Sequence, residues 1–237
     1  MPRRSTSRQG GTQARNKGAM RVRLPDPPLL LITDRRQARH PLAEVVTAAL
    51  KAGCRWVSVR EKDLPDDEQV LLVRSLLAVA HAHGAKLTLH GEATLAKFAE
   101  ADGVHLSSGA DAALARTVTG REKLVGASIH GVLEAAAIDP ALVDYALAGP
   151  AFETASKPGY GPEIGRKGIA DIAGAARVPV LAIGGVKPAR VGELIAAGAV
   201  GVAVMGGVMR AADPALETKA LVAALTGSLA ISARDRC

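Results

Sequence analysis

The stretch WVSVREKDLPDDEQVLLVRSLLAVAHAHGAKLTLH, residues 56–90, contains a strand, a helix and a second strand in succession. Strand side chains alternate with period two, so Val57 and Val59 face one way while Trp56, Ser58, Arg60 and Lys62 face the other. Asp67–His83 then reads as an Ala- and Leu-rich helix, and Lys86–His90 as the next strand. Strands joined through a helix are parallel neighbours linked by a right-handed crossover. Arg60 and Lys62 close one buried face of the first strand, and two cations there are costly unless something negative meets them. Ion pairs with Glu61 and Asp63 are one answer and a bound anion is the other.

The same unit recurs from Leu29 onward. The apolar runs LLLITD, WVSVRE, KLTLH, DGVHL, KLVGASI, VDYALAG, PVLAIGG and GVAVMGG alternate with helical stretches such as Pro41–Ala52, Asp67–His83, Glu92–Ala99, Leu133–Ala137, Pro188–Ala197 and Pro214–Leu225. About eight such units in just over two hundred residues match a single (β/α)8 TIM barrel, here placed at residues 24–228. A doubly wound sheet would favour a glycine-rich turn after the first strand, and TDRRQARHP contains no glycine.

Composition narrows the function classes. The chain is 48% apolar, which suits one large core, and only 2% aromatic, which leaves few platforms for stacking on bases. Arg3, Arg4, Arg8, Arg15, Lys17, Arg21 and Arg23 equal the whole net charge of +7, so residues 24–237 are neutral. The basicity therefore marks a tail, residues 1–23, whose Arg, Ser, Gly and Gln content predicts disorder rather than a nucleic-acid surface. Residues 229–237 read as a short C-terminal tail. Without an apolar run of spanning length or a signal peptide, the expectation is a soluble, cytoplasmic protein with no membrane partner. Cys54 and Cys237 imply no disulfide framework.

In a barrel the carboxyl ends of the strands meet at one mouth, where active sites lie. Those ends supply Asp34, Ser58, Arg60, Lys62, His90, His105, Ser128, His130, the 149–162 loop, and the pairs Gly184–Gly185 and Gly206–Gly207. The two glycine pairs follow the seventh and eighth strands, the usual phosphate position in such barrels. They predict a phosphate-binding site, against tight turns that merely need glycine. The long loop GPAFETASKPGYGPE, residues 149–163, offers Thr154, Ser156 and Lys157 to a ligand. His90, His105 and His130 end neighbouring strands, but no carboxylate or cysteine stands at ligand spacing beside them, so no metal is expected. His130 is the best acid–base candidate, because imidazole exchanges protons near neutrality.

SVREKD, ADGVHL, GASIH, GPAFETASK, PVLAIGGV and GAVGVAVMGG occur in the order found in the thiamin phosphate synthase and TenI family. The resemblance spans Leu29 to Leu225 and implies a TIM barrel acting in the thiazole branch of thiamin biosynthesis. Synthases of that family join hydroxymethylpyrimidine diphosphate to a thiazole phosphate and release pyrophosphate with Mg2+. TenI-type proteins aromatise a thiazole phosphate carboxylate by moving a proton. The synthase pattern Q-x-R-x-K falls on Ser58, Arg60 and Lys62, so its glutamine is replaced. The N-D pair that follows strand three falls on His90 and Gly91, and the second magnesium aspartate falls on Ala110, one place before Asp111. FET and GASIH resemble the TenI branch, whose catalytic histidine falls on His130.

The resemblance therefore implies a TenI-like thiazole tautomerase that needs no cofactor and acts on a small phosphorylated thiazole. The alternatives are a divergent synthase, which would require Mg2+, and a non-catalytic paralogue that binds thiamin phosphate or thiazole phosphate. The oligomeric state stays open, with a homo-oligomer among the options.

Overall fold

The computed structural model describes residues 23–154, 156 and 162–234. Eight strands form one closed parallel barrel. They are β1 (Leu29–Ile32), β2 (Trp56–Val59), β3 (Lys86–His90), β4 (Gly103–Leu106), β5 (Leu124–Ile129), β6 (Tyr145–Ala148), β7 (Val180–Ile183) and β8 (Gly201–Val204). Each pairs with its sequence neighbour, and Leu30 opposite Ala203 closes the ring between β1 and β8. The protein is a (β/α)8 barrel, as the strand–helix rhythm predicts.

Strand alternation divides the core in two. Leu30, Ile32, Trp56, Leu124, Tyr145, Leu147, Leu181 and Ala203 point inward and pack together inside the barrel. Leu29, Leu31, Val57, Val59, Leu87 and Leu89 point outward into the helix layer. The expected facing of β2 is therefore the observed one, with Trp56 inside and Val57 outside. Trp56 meets Tyr145 edge to face, with ring centroids 4.6 Å apart and planes at 73°. Residue 126 must be glycine here, because a Cβ would collide with the Tyr145 ring.

The outer layer comprises α1 (Leu42–Lys51), α2 (Asp66–Ala82), α3 (Ala93–Phe98), α4 (Ala112–Thr119), α5 (Val132–Ala137), α6 (Gly165–Ala175), α7 (Val191–Ala196), α8 (Gly206–Met209) and α9 (Pro214–Arg234). A 3-10 turn, Pro188–Arg190, leads into α7. Helix α4 begins at Asp111, whose Oδ1 accepts the Leu114 amide at 2.9 Å, a side-chain N-cap.

The expected boundary at residue 228 falls inside α9, which continues to Arg234. That helix buries Thr218, Leu221 and Leu225 and lies beside α1 and α7. It also qualifies the expectation that no apolar run reaches spanning length, since an 18-residue window within its 21 residues reaches a mean hydropathy of 1.2. Length and composition alone would let it cross a membrane, and here it forms the final helix of the barrel. The tail at residues 1–23 lies outside the described residues except for Arg23.

At the amino-terminal end of the barrel, two aspartates hold strand edges together. Asp102 Oδ2 accepts the Leu87 amide at 2.8 Å, and Asp144 Oδ2 accepts the Val125 amide at 2.8 Å. Arg116 from α4 also donates to Asp144 Oδ2, at 2.7 Å, and to the carbonyls of Leu142, Gly120 and Lys123. The opposite end opens as a cavity.

Candidate active site

A cavity of about 830 Å3 opens at the carboxyl ends of the strands. Arg60 and Lys62 line it after β2, His90 at the end of β3, Ser107 and Ser108 after β4, and Ser128 and His130 around the end of β5. Thr154, Ser156, Glu153 and Glu163 come from the long loop after β6, and Gly184, Gly185 and Lys187 follow β7. Gly206, Gly207 and Arg210 complete the wall after β8. Nearly all the sequence-predicted residues thus share one cavity. Lys157 lies outside the described residues. Ser58 is fully buried and does not line the cavity. Its inward parity is as expected, but it sits in register with Thr88, below the level of Arg60.

Glu61 and Asp63 are both engaged by Arg35 from the loop after β1. The backbone amide of Arg35 reaches the Glu61 oxygens at 3.0 and 3.1 Å, and its guanidinium reaches the Asp63 oxygens at 2.8 and 2.7 Å. Among the described residues no carboxylate pairs with Arg60 or Lys62. The local ion pairs that could have explained the two cations are therefore not made, and both side chains face the cavity.

A polar column sits beneath the mouth. His105 Nε2 lies 2.9 Å from Ser128 Oγ, and its Nδ1 lies 3.2 Å from the Tyr145 hydroxyl. His90 packs over it, with ring centroids 4.6 Å apart at 45°. Burial, helped by the Lys62 charge, pushes the His105 pKa down from 6.5 to about 3, and burial drives the Tyr145 phenol upward. His105 is thus a neutral imidazole that orients Ser128 from below, and it is not part of the cavity wall.

That depressed pKa has a consequence for stability. Below pH 6.5 the unfolded chain protonates His105 while the folded chain does not, so this contribution is complete above 6.5 and is lost as pH falls toward 3. Between pH 6.5 and 5 the loss is about 2 kcal/mol, at about 1.4 kcal/mol per pH unit. Urea denaturation across that range is expected to show this slope in the parent protein and a flatter one in His105→Gln. An unchanged slope in the variant would remove His105 as its source.

His130 Nδ1 lies 2.9 Å from the carbonyl oxygen of Gly149. A carbonyl can only accept, so Nδ1 carries a proton and Nε2 is the basic nitrogen. Glu134, on the first turn of α5, fixes the same segment by accepting the His130 amide at 2.5 Å and the Ser108 hydroxyl at 2.9 Å. The Glu134 carboxyl is held below its usual range by the hydrogen bonds that outweigh its burial, with the His130 amide first and Ser108 next.

The paired glycines after β7 have a structural reason of their own. Gly184 and Gly185 adopt φ of 100° and 61°, and a Cβ on either would strike the backbone of the loop after β6, at Pro150 or Glu153. The carbonyls of Ile183 and Gly184 anchor that loop: Ala151 donates to Ile183 O at 2.7 Å and Phe152 to Gly184 O at 3.1 Å. Glycine therefore lets the β6 loop pass close to β7, and the same backbone then lines the cavity.

The family resemblance raises the question of Mg2+. The edge where synthases place carboxylates here offers His90, Gly91, Ser107 and Ser108. Asp111 is committed to the α4 cap, and the acids of the cavity, Glu153 and Glu163, lie on the β6 loop. Among the described residues no three His, Cys, Asp or Glu side chains cluster as a metal site. Magnesium prefers an octahedral shell of hard oxygens with carboxylate anchors, and this donor set does not fit it.

Sequence reasoning missed Lys187, Arg210, Ser107 and Ser108 as cavity residues. Lys187 and Arg210 lie two and three residues beyond the glycine pairs, within reach of the same mouth. That spacing was available as a signal.

Residues 29–208 match the thiamine monophosphate synthase family. A putative thiamine-phosphate synthase of Geobacter sulfurreducens is 40% identical over 199 residues, covering 83% of this chain and 93% of that protein. A thiamine-phosphate synthase of Roseiflexus sp. is 38% identical over 206 residues, covering 86% and 87%. The solved thiamine phosphate pyrophosphorylase of Pyrococcus furiosus superposes with a TM-score of 0.76 at 29% identity, covering 85% of this chain and 96% of that one. With the barrel, the cationic mouth and a match over most of its length, the chain belongs to the thiamine monophosphate synthase family.

Proposed function

We propose that the chain is a TenI-like thiazole tautomerase, which moves a ring proton of a phosphorylated thiazole carboxylate. The observation that carries this reading is the edge after β3 and β4, where His90, Gly91, Ser107 and Ser108 stand and Asp111 caps a helix instead of facing the cavity. Condensation with a diphosphate needs its leaving charge neutralised, usually by a metal held on carboxylates. A tautomerisation is an isomerisation. It needs a held substrate and one group that takes a proton and returns it.

His130 Nε2 takes that role, with Nδ1 tethered to Gly149 so that the ring cannot turn. Arg60 and Lys62 hold the carboxylate, and Ser128, fixed by His105, gives a hydroxyl beside it. The phosphate lies against the glycine pairs after β7 and β8, near Thr154 and Ser156. The proton leaves a ring carbon, rests on His130 and returns at the position that makes the ring aromatic, so nothing is consumed.

A second reading, thiamin phosphate synthesis from hydroxymethylpyrimidine diphosphate and a thiazole phosphate, is supported by the names of the relatives, which favour it over the tautomerase. One pair of assays decides between them. Purified protein is given the non-aromatic thiazole phosphate carboxylate in one and both synthase substrates with Mg2+ in the other. Turnover in the first alone is the expected result. Magnesium-dependent thiamin phosphate with no tautomerase activity replaces the proposal by the second reading. Tight binding without turnover in either assay leaves a binding paralogue.

A further inference from the structure

Arg210 follows the short helix α8 and extends back over the mouth. A Cβ built on Gly206 would run into its guanidinium and into Ser156 Oγ, so both groups rest on the bare face of the glycine. The guanidinium donates to Ser156 Oγ at 3.3 Å and to Gln37 Oε1. Gln37 is itself held from the other side, its Nε2 donating to Asp34 Oδ2 at 2.5 Å. Among the described residues Arg210 has no carboxylate partner. A cation on the wall of the cavity is thus kept in place by two neutral oxygens.

Neutral acceptors are weak partners for a guanidinium. A phosphate adds its own negative charge to the hydrogen bond, and the arginine fork matches two of its oxygens at once. We propose that Arg210 is the phosphate-holding side chain of this cavity, stored on Gln37 and Ser156 and transferred to the phosphate when it binds. The inference rests on the reading of the ligand as phosphorylated, but not on which reaction follows. Because Gln37 belongs to the loop after β1 and Ser156 to the loop after β6, phosphate binding also releases a tie across the mouth.

Calorimetric titration with inorganic phosphate tests this without any assumption about turnover. Arg210→Gln is expected to weaken phosphate binding roughly tenfold. Arg210→Lys, which keeps the charge and loses the fork, is expected to fall between it and the parent. Gln37→Ala removes a competing acceptor, so its affinity should equal or exceed that of the parent. Parent-like binding in Arg210→Gln overturns the proposal. So does an equal loss in Gln37→Ala, which would make the pair a structural tie, and so does a loss found in Arg60→Gln instead. If neither thiazole reaction runs while Arg210→Gln still loses phosphate, the proposed function fails and this inference stands.

Discussion

His130→Gln is expected to slow turnover of the thiazole phosphate carboxylate by roughly 10²–10⁴-fold, the usual worth of a positioned acid–base group. The Michaelis constant should stay within about threefold, because the groups that hold the anionic ends lie elsewhere on the wall. Glutamine is the informative replacement. Its side-chain amide can donate to the Gly149 carbonyl as Nδ1 of His130 does at 2.9 Å, so the loop after β5 keeps its shape. What it lacks is a nitrogen that can accept a proton. The variant should also fail to wash deuterium from solvent into the ring under conditions where the parent does so. If kcat is unchanged, the proton is carried by another group of the wall, and His90 is the next imidazole to test.

The barrel was legible in the sequence because its signal is repetitive. Eight short apolar runs separated by helical stretches admit few other arrangements, and the alternation in Trp56–Lys62 fixes which side chains face inward. The helices were less legible. Helix α6 contains Gly165, Gly168 and Gly174, which disfavour a helix, and it forms because Ile169 and Ile172 are buried against the barrel. Asp111 shows the limit at the site. Sequence placed it one position from a magnesium ligand, and only the bond to the Leu114 amide shows that it caps α4.

Charge partners were the least legible of all, because they depend on contacts between distant loops. Glu61 and Asp63 adjoin Arg60 and Lys62 in sequence, yet Arg35 engages both acids from the neighbouring loop and leaves the two cations facing the cavity. Arg210 meets Gln37 across 173 positions of chain, a separation that no local pattern reports. The glycine pair after β7 carries a double signal for the same reason. Its φ angles and the nearby β6 loop account for glycine there whether or not a phosphate also binds.

Asp144→Ala is expected to destabilise the barrel by about 2–4 kcal/mol, between the range for an exposed pair and that for removing one partner of a fully buried one. Asp144 and Arg116 expose only 11% and 12% of their side chains, so solvent screens the pair weakly. The alanine leaves the Arg116 guanidinium without its carboxylate and the Val125 amide without its acceptor. Asp144→Asn keeps an oxygen for Val125 and loses only the charge, so it should cost less, about 1–3 kcal/mol. Adding Arg116→Met to Asp144→Ala removes the stranded cation, and the double variant should recover part of the loss. Chemical denaturation measures all three. Because the pair sits at the amino-terminal end of β6, opposite the cavity, turnover per folded molecule should not change. A loss below about 1 kcal/mol in Asp144→Ala, the range of an exposed pair, would mean that water replaces both bonds and that the strand edge at Val125 is held by its neighbours alone.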